Sequence, residues 1–407
     1  MSSGTYRTMQ LKHVNRVAVL NYIRRHRHTT KANLASISGL TFMAIKKILE
    51  ELEELGLVRQ DDLHVGKIGR KAVTYTIAKD YGYTAGMHIN MFKTRVAIMN
   101  LQGEIVAIKG IDMDDAPTEP AQMIDLLVET LEAAIAESGI RREKLLGLGI
   151  GTPGPVNLQE GMVLSPPNMT VFRYFPLQKV MQDRVGIPVL IHKDTNAIAM
   201  GEYWRGAGAG YQNMAYVDAD MGIGSGLILD GVLQPGAHFV AGEFGHITLD
   251  VNGPLCNCGS RGCLEAMSSG IAILRTVREE IAGHPSHPLH KHLDSLTIQQ
   301  VLRAGNDGDS LVIPVLNNAA YNMGLAVGNL INIFDPEIII LGGLLVINYK
   351  PYFDILKDTA LLKRLPGARE NLIVPTVCKD RAGVIGAGEL VSNHFFSNTI
   401  SELLSKG

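Results

Sequence analysis

Residues 81–155 constrain the fold class more than any other part of the chain. "YTAGMHINMFKTRVAIMNLQGEIVAIKGIDM" carries strand-like runs broken at Phe92–Lys93 and Gln102–Gly103, so it predicts three successive strands. An amphipathic helical period over about 119–138 follows, and "LLGLGIGTPGPV" then supplies a further strand. Strands punctuated by a helix in this way predict an α/β domain. Farther on, "INIFDPEIIILGG" (331–343) reads as a helix end, a buried strand and a Gly-Gly turn, which suits a second domain of the same kind. A chain of 407 residues has room for two or three domains.

The first eighty residues differ from that body in charge and in period. They hold fourteen Lys/Arg against seven Asp/Glu, whereas the rest holds twenty-four against thirty-three, an asymmetry hidden by the net charge of −2. A basic module on an acidic body points to an anionic partner, nucleic acid first. "NRVAVLNYIRRH" (15–26) predicts an amphipathic helix with Val17, Leu20 and Ile23 on one face and Arg/His on the other. "TKANLASISG" predicts a second, with Thr29 and Thr30 as candidate caps and Gly39 as its stop. In "LTFMAIKKILEELEELGLV" the residues Ile45, Ile48, Leu49, Leu52 and Leu55 share a stripe behind the candidate N-cap Thr41. The first turns of that third helix carry Lys46 and Lys47, and its last turns carry Glu50, Glu51, Glu53 and Glu54, so only the leading half suits phosphates. Thr41, Phe42 and Met43 stand at that leading end, where a recognition helix meets base edges. "LVRQDDLHVGKIGRKAVTYTIA" then predicts a hairpin with Lys67, Arg70 and Lys71 at its tip. Three helices and a hairpin predict a winged helix-turn-helix over residues 1–80, with double-stranded operator DNA as its partner. A winged helix that docks a protein is the alternative, and the cationic tip and the charge split count against it. "TIAKDYGYT" (76–84) is too short a linker to let module and body move independently.

Composition narrows the setting. No apolar run approaches the roughly 20 residues of a membrane span, and "MSSGTYRTMQLKH" lacks the apolar core of a signal peptide, so the expectation is a cytoplasmic protein with no membrane partner. Four cysteines in so long a chain are too sparse for a disulfide framework, which leaves metal or packing to explain them. Three of the four, Cys256, Cys258 and Cys263, fall in "AGEFGHITLDVNGPLCNCGSRGCLEA" (241–266), just after His246. Cys378 stands alone on an expected strand and reads as packing.

"PGPV", "PPNM", "KDTNAIAMGE", "GIGSGLILDG", "GEFGHI" and "CNCGSRGCLEA", in this order, resemble the ROK family of repressors, open reading frames and sugar kinases. With the winged helix in front, the chain resembles the family's repressor branch, that of the xylose and N-acetylglucosamine repressors. The resemblance implies an α/β, two-lobed, actin-like body of the sugar-kinase, ribonuclease H-like class. Its first lobe would span 81–193, completed by the C-terminal helix at about 385–407, and its second 194–384. Such repressors act as symmetric homodimers or homotetramers, which implies an inverted-repeat operator.

His246, Cys256, Cys258 and Cys263 supply one imidazole and three thiolates, a set that closes a tetrahedron around one structural Zn²⁺ per chain with no position left for water. The loop has little apolar material to fold around, so metal would hold its shape. Four unrelated buried residues are the alternative. By the resemblance, Asn168, Asp194, Asn196, Glu243, His246 and Glu265 gather around the hydroxyls of a sugar or sugar-phosphate effector. Amides and carboxylates suit that task because each matches adjacent hydroxyls. Asn196 has a second reading, as a cap for "TNAIAMGEYWRGA". Lys193 stands where the kinases commonly carry Asn, and the absence of a dense Arg/Lys cluster leans toward a neutral sugar.

Asp194 corresponds to the base that the family's kinases use. Their first strand reads Asp-x-Gly-Gly-Thr, however, and here His88-Ile89-Asn90-Met91-Phe92 stands in its place. Their second phosphate loop reads Gly-Thr-Gly-x-Gly, and here Met221 replaces the hydroxyl in "DMGIGSG". The expectation is a sugar-responsive repressor without catalysis. The alternative is a ROK-type kinase, phosphorylating a hexose from ATP, with an appended DNA-binding domain.

Overall fold

The computed structural model describes residues 3–61, 73–113, 116–166, 169–365 and 373–399. The chain divides into two compact units, one of residues 1–153, 158–194 and 383–407, the other of 154–157 and 195–382. No described helix is long and apolar enough to cross a membrane.

The N-terminal module consists of α1 (Ser3–His26), α2 (Lys31–Ser38) and α3 (Phe42–Glu54), followed by the antiparallel pair β1 (Val58–Asp61) and β2 (Thr74–Ile77). Local chemistry sets the helix limits. Thr30 caps α2 by accepting from the Asn33 amide, and Gly39 ends it in the left-handed region at φ 66°. Thr41 caps α3 by accepting from Ala44, and Ile45, Ile48, Leu49 and Leu52 of the expected stripe are buried, whereas Leu55, its last member, is the C-cap and is exposed. The first helix is longer than its amphipathic stretch suggests, beginning at Ser3 instead of near Asn15. One side chain departs from the expected face: Arg24 is buried, 1% exposed. The strand pair is the stem of the expected hairpin. Its tip, with Lys67, Arg70 and Lys71, lies outside the described residues.

The first sheet runs β5 (Ile105–Asp112), β4 (Lys93–Asn100), β3 (Tyr83–His88), β6 (Leu145–Thr152), β9 (Val189–Lys193), with short β7 (Val156–Asn157) and β8 (Met162–Val163) between β6 and β9 in sequence. β3, β4 and β5 are antiparallel neighbours, and β6 and β9 add on parallel to β3. The parallel crossovers need helices, supplied by α4 (Pro120–Ser138) and α5 (Leu177–Val185). Gln102, in the β4–β5 turn, donates to the Ile77 carbonyl at 2.8 Å and to Thr76 Oγ1 at 3.2 Å, which ties the end of the hairpin to this sheet.

The second unit repeats the plan after α6 (Asp194–Arg205). Its sheet runs β12 (Val232–Leu233), β11 (Ile223–Leu229), β10 (Met214–Ala219), β13 (Ile338–Gly342), β14 (Ile373–Pro375), again three antiparallel strands followed by two parallel ones. Helices α7 (Leu264–Ser268), α8 (Gly270–Ala282), α9 (Ile298–Asn306) and α10 (Val312–Phe334) fill the connection to β13, and α11 (Leu344–Asn348) and α12 (Lys350–Lys363) the one to β14. Cys378 lies beyond β14 and not on a strand. Its amide donates to Glu202 Oε1 at 3.0 Å, and burial pushes its thiol up to about 12, consistent with packing.

The chain then returns to the first unit as α13 (Ala382–His394), followed by a π turn (Phe395–Thr399). This helix approaches the first sheet so closely that a Cβ at Gly149 would lie 1.8 Å from the Ala387 carbonyl oxygen, which is why the strand "LGLGIG" carries glycine there. The far end of α13 supplies the partners for Arg24. Arg24 donates to Glu389 Oε2 at 2.5 Å and to Asn393 Oδ1 at 3.1 Å, with both ionic groups at most 2% exposed. Its guanidinium also lies 4.9 Å from the Phe396 ring centroid. Phe395 and Phe396 share a core with Leu20, Ile23, Leu34, Leu49 and Leu52, so the N-terminal module is completed by the C-terminal end of the chain.

A buried pair that loses one member leaves an uncompensated charge, so Arg24→Met and Glu389→Leu should each destabilise by about 3–5 kcal/mol. The double variant, which removes both charges, should recover most of that loss. Urea unfolding of the three proteins beside wild type measures it.

Candidate metal and sugar site

The metal-ligating side chains sit on a loop folded back on itself. Isolated bridges pair Thr248 with Cys263 and Leu255 with Arg261, and the Cys256 amide donates to the Ser260 carbonyl at 2.8 Å. Gly262, at φ 66°, makes the fold-back possible, since a Cβ there would lie 1.5 Å from the Asp250 carbonyl oxygen. These pairings bring His246, Cys256, Cys258 and Cys263 together, with all four candidate ligand atoms within 4.8 Å of one another. His246 Nδ1 lies 3.7 Å from Cys256 Sγ, and Cys258 Sγ lies 3.6 Å from Cys263 Sγ. A tetrahedron with metal–sulfur bonds of about 2.3 Å has edges of about 3.8 Å, so the spacing fits one ion. Cys256, Cys263 and Ala266 form a small core cluster within the loop.

The Ser260 amide, opposed by some burial, holds the Cys258 thiol down at about 7, whereas burial and the neighbouring sulfurs push Cys263 up to about 12. Three thiolates crowd together stably only when positive charge lies among them.

His246 has a second face. Its Nε2 points toward Glu243, 4.0 Å from Oε2, on the side away from Cys256. Glu243 and His246 flank a 3-10 turn, Phe244–His246, preceded by Gly242 at φ 79°. Glu265 follows Cys263 by two residues in α7, and its Oε2 accepts from the Ile223 amide at 3.0 Å, linking the metal loop to the β10–β11 turn. Asn196 lies in the first turn of α6 and is buried. Because α6 begins at Asp194, Asn196 is inside the helix and does not cap it. Asp194 opens the same helix, and Asn168 lies outside the described residues.

The turn that corresponds to a phosphate loop is closed on itself. The Asp220 carboxylate accepts from the Met221 amide at 2.7 Å and the Leu344 amide at 3.2 Å. The Asp220 amide donates to the Gly222 carbonyl at 3.1 Å, and the Gly270 and Ile271 amides at the start of α8 donate to the Asp220 and Met221 carbonyls at 2.9 and 3.3 Å. The glycines that follow serve helix packing more than turn geometry: a Cβ on Gly226 would lie 2.6 Å from that of Ala199 on α6. In the first unit His88 ends β3 fully buried, its ring against Gly383, and burial, with Arg95 as a lesser cause, lowers it to about 4. Sequence reasoning missed Asp220, Arg24 and Glu389, because nothing local marks a carboxylate or guanidinium whose partners are distant in sequence.

Fold and site together define a two-unit α/β protein of sugar-kinase architecture that carries a loop with four candidate metal ligands and an N-terminal helical module. The chain belongs to the ROK family, which matches residues 84–394. It is 27% identical over 390 residues to the xylose repressor of Caldicellulosiruptor bescii, covering 95% of this chain and 97% of that one. It is 32% identical over 321 residues to a glucokinase of Halalkalibacterium halodurans, covering 75% of this chain and 94% of the kinase. Among solved structures, a ROK family transcriptional regulator described as a homolog of the E. coli MLC protein superposes with a TM-score of 0.78 at 26% identity, over 98% of this chain and all of that one.

Two outcomes test the site. Metal analysis of protein purified without chelator should find about one metal ion per chain, and Cys258→Ser should abolish it and lower the melting temperature of the second unit. For His88, the unfolded chain takes up a proton below its ordinary 6.5 that the buried ring refuses until about 4. The stability contributed by the neutral ring is therefore whole above 6.5 and is lost as pH falls toward 4, by about 2 kcal/mol at pH 5. Urea unfolding from about pH 7.5 to about pH 5 should show that slope, shallower in His88→Gln.

Proposed function

We propose that this protein is a sugar-responsive transcriptional repressor. Residues 1–80 form a winged helix-turn-helix that binds operator DNA, and a sugar or sugar phosphate bound by the kinase-like body releases it. The observation that carries this reading is the extent of the likeness. The family match begins at residue 84, whereas the similarity to the xylose repressor extends over 95% of the chain and so takes in the N-terminal module. The glucokinase is nearly covered by three quarters of this chain, which leaves the module without a counterpart there.

In this reading Zn²⁺ is held by His246, Cys256, Cys258 and Cys263, and four protein ligands make it structural. The ion keeps His246 and Glu265 in place, and these residues bind sugar hydroxyls together with Glu243, Asn196, Asp194 and Asn168. Thr41, Phe42, Met43, Lys46 and Lys47 of α3 face the major groove, and Lys67, Arg70 and Lys71 of the hairpin tip contact the backbone or the minor groove. The protein acts in the cytoplasm as a homodimer or homotetramer on an inverted repeat. Catalysis is not part of this function. The turn amides at Asp220, Met221, Gly270 and Ile271 are spent on internal carbonyls and a carboxylate, which leaves them unavailable to cradle phosphates. A bound sugar acts on the module through α13, which starts where the second unit ends and holds Arg24 of α1 at its other end.

Binding of fluorescent operator duplex, titrated with sugars, tests the proposal. Lys46→Ala and Lys47→Ala should weaken DNA binding and flatten its salt dependence. Asp194→Ala and Glu243→Ala should bind DNA as wild type does and resist release. By linkage the operator should weaken sugar binding by the same factor as sugar weakens operator binding, about 5–150-fold. Sugar-dependent ADP release from ATP would favour the kinase reading instead.

A further inference from the structure

The leading end of α3 exposes two large apolar side chains. Phe42 is 54% and Met43 69% exposed, while Ile45, Ile48, Leu49 and Leu52 of the same helix are buried. With 3.6 residues per turn, Met43 stands opposite the buried stripe and on the same outward line as Lys47, and Phe42 flanks it on the side of Lys46. The two lysines are exposed, and among the described residues Lys46 pairs loosely with Glu50 at 3.6 Å. An apolar tip backed by cations on the face that meets DNA has a specific chemical meaning. Phosphates attract the lysines, but the apolar side chains gain only from an apolar group on a base edge, and in the major groove that group is the C5-methyl of thymine.

The rest of the helix sharpens this. Residues 41–54 contain no Arg, Asn or Gln, so the paired hydrogen bonds by which Asn or Gln reads adenine and the Arg fork reads guanine are unavailable to it, and Lys46 and Lys47 are its only cationic side chains that could donate to guanine. The Thr41 hydroxyl accepts from the Ala44 amide as the N-cap at 3.2 Å, which holds the side chain at the helix start and leaves a single O–H to donate. The last turns are acidic and stand off from phosphates.

We infer that α3 recognises its operator half-site through thymine methyl groups, packed against Phe42 and Met43, with Lys46 and Lys47 holding the helix to the backbone. This rests on the DNA-binding reading above and adds the chemistry of its specificity.

Full-length protein should be used to select duplexes from a random library, and the selected duplex remade with deoxyuridine in place of thymidine at one half-site position at a time. The exchange removes the methyl and leaves every hydrogen-bonding group. At the contacted positions affinity should fall about fourfold per methyl, as expected for one buried methyl-sized group. Phe42→Ala or Met43→Ala should bind the thymidine and deoxyuridine duplexes alike at those positions. Both residues are exposed, so the variants should keep the wild-type circular dichroism and melting temperature. Wild-type affinity indifferent to the exchange at every position overturns the inference. A loss that persists undiminished in both variants also overturns it, because the methyl would then act through DNA shape. Failure to select any duplex overturns the DNA-binding reading itself.

Discussion

The contact on which the first unit depends is the buried pair between Arg24 of α1 and Glu389 of α13. Few arrangements are as demanding, since a guanidinium and a carboxylate withdrawn from water are tolerated only when each satisfies the other. Here the geometry adds Asn393 as a second acceptor and the face of Phe396. Around the pair, Phe395 and Phe396 enter the core formed by α1, α2 and α3. The N-terminal module is therefore an extension of the first unit, bound to it by the last helix of the chain and not only by a linker. That helix starts at the boundary with the second unit, so a change there has a covalent path to the base of the module.

The second unit relies on a different economy, in which single residues serve two structures at once. His246 directs Nδ1 toward the cysteines and Nε2 toward Glu243. Glu265 leaves the metal loop and accepts the Ile223 amide at the edge of the β10–β11 turn. A loop with almost no apolar core is thus joined both to a cation site and to the sheet. His246 belongs both to the candidate ligand cluster and to its polar surroundings.

The two sheets follow the sugar-kinase plan, and in the turn between β10 and β11 the Met221 amide donates to the Asp220 carboxylate while the Asp220 and Met221 carbonyls accept from the start of α8. Burial raises the Asp220 carboxyl above its ordinary range, against the pull of the Met221 and Leu344 amides. A loop in this condition acts as a fastener between β10, α8 and α11. At the end of β3 a neutral, buried imidazole, His88, packs on Gly383.

Much of this was legible in the sequence, wherever a local rule decides the outcome. Caps at Thr30 and Thr41, stops such as Gly39, the stripe of α3, and the succession β3-β4-β5-α4-β6 all follow from hydrogen bonds and periods spanning a few residues. The four metal-ligand candidates were legible because they lie within eighteen residues of one another. What only the tertiary structure decided was the fate of polar groups whose partners lie far along the chain. Arg24 read as a solvent-facing cation and is buried, because Glu389 arrives 365 residues later. The need for glycine at 149 and 226 comes from α13 and α6 pressing on those strands, which no local pattern shows. Asn196 read as a possible cap and lies inside its helix, because the backbone turns helical two residues earlier, at Asp194. A sequence specifies directly what neighbours along the chain can satisfy. The burial of a charge or the closeness of two backbones is fixed only when distant segments meet.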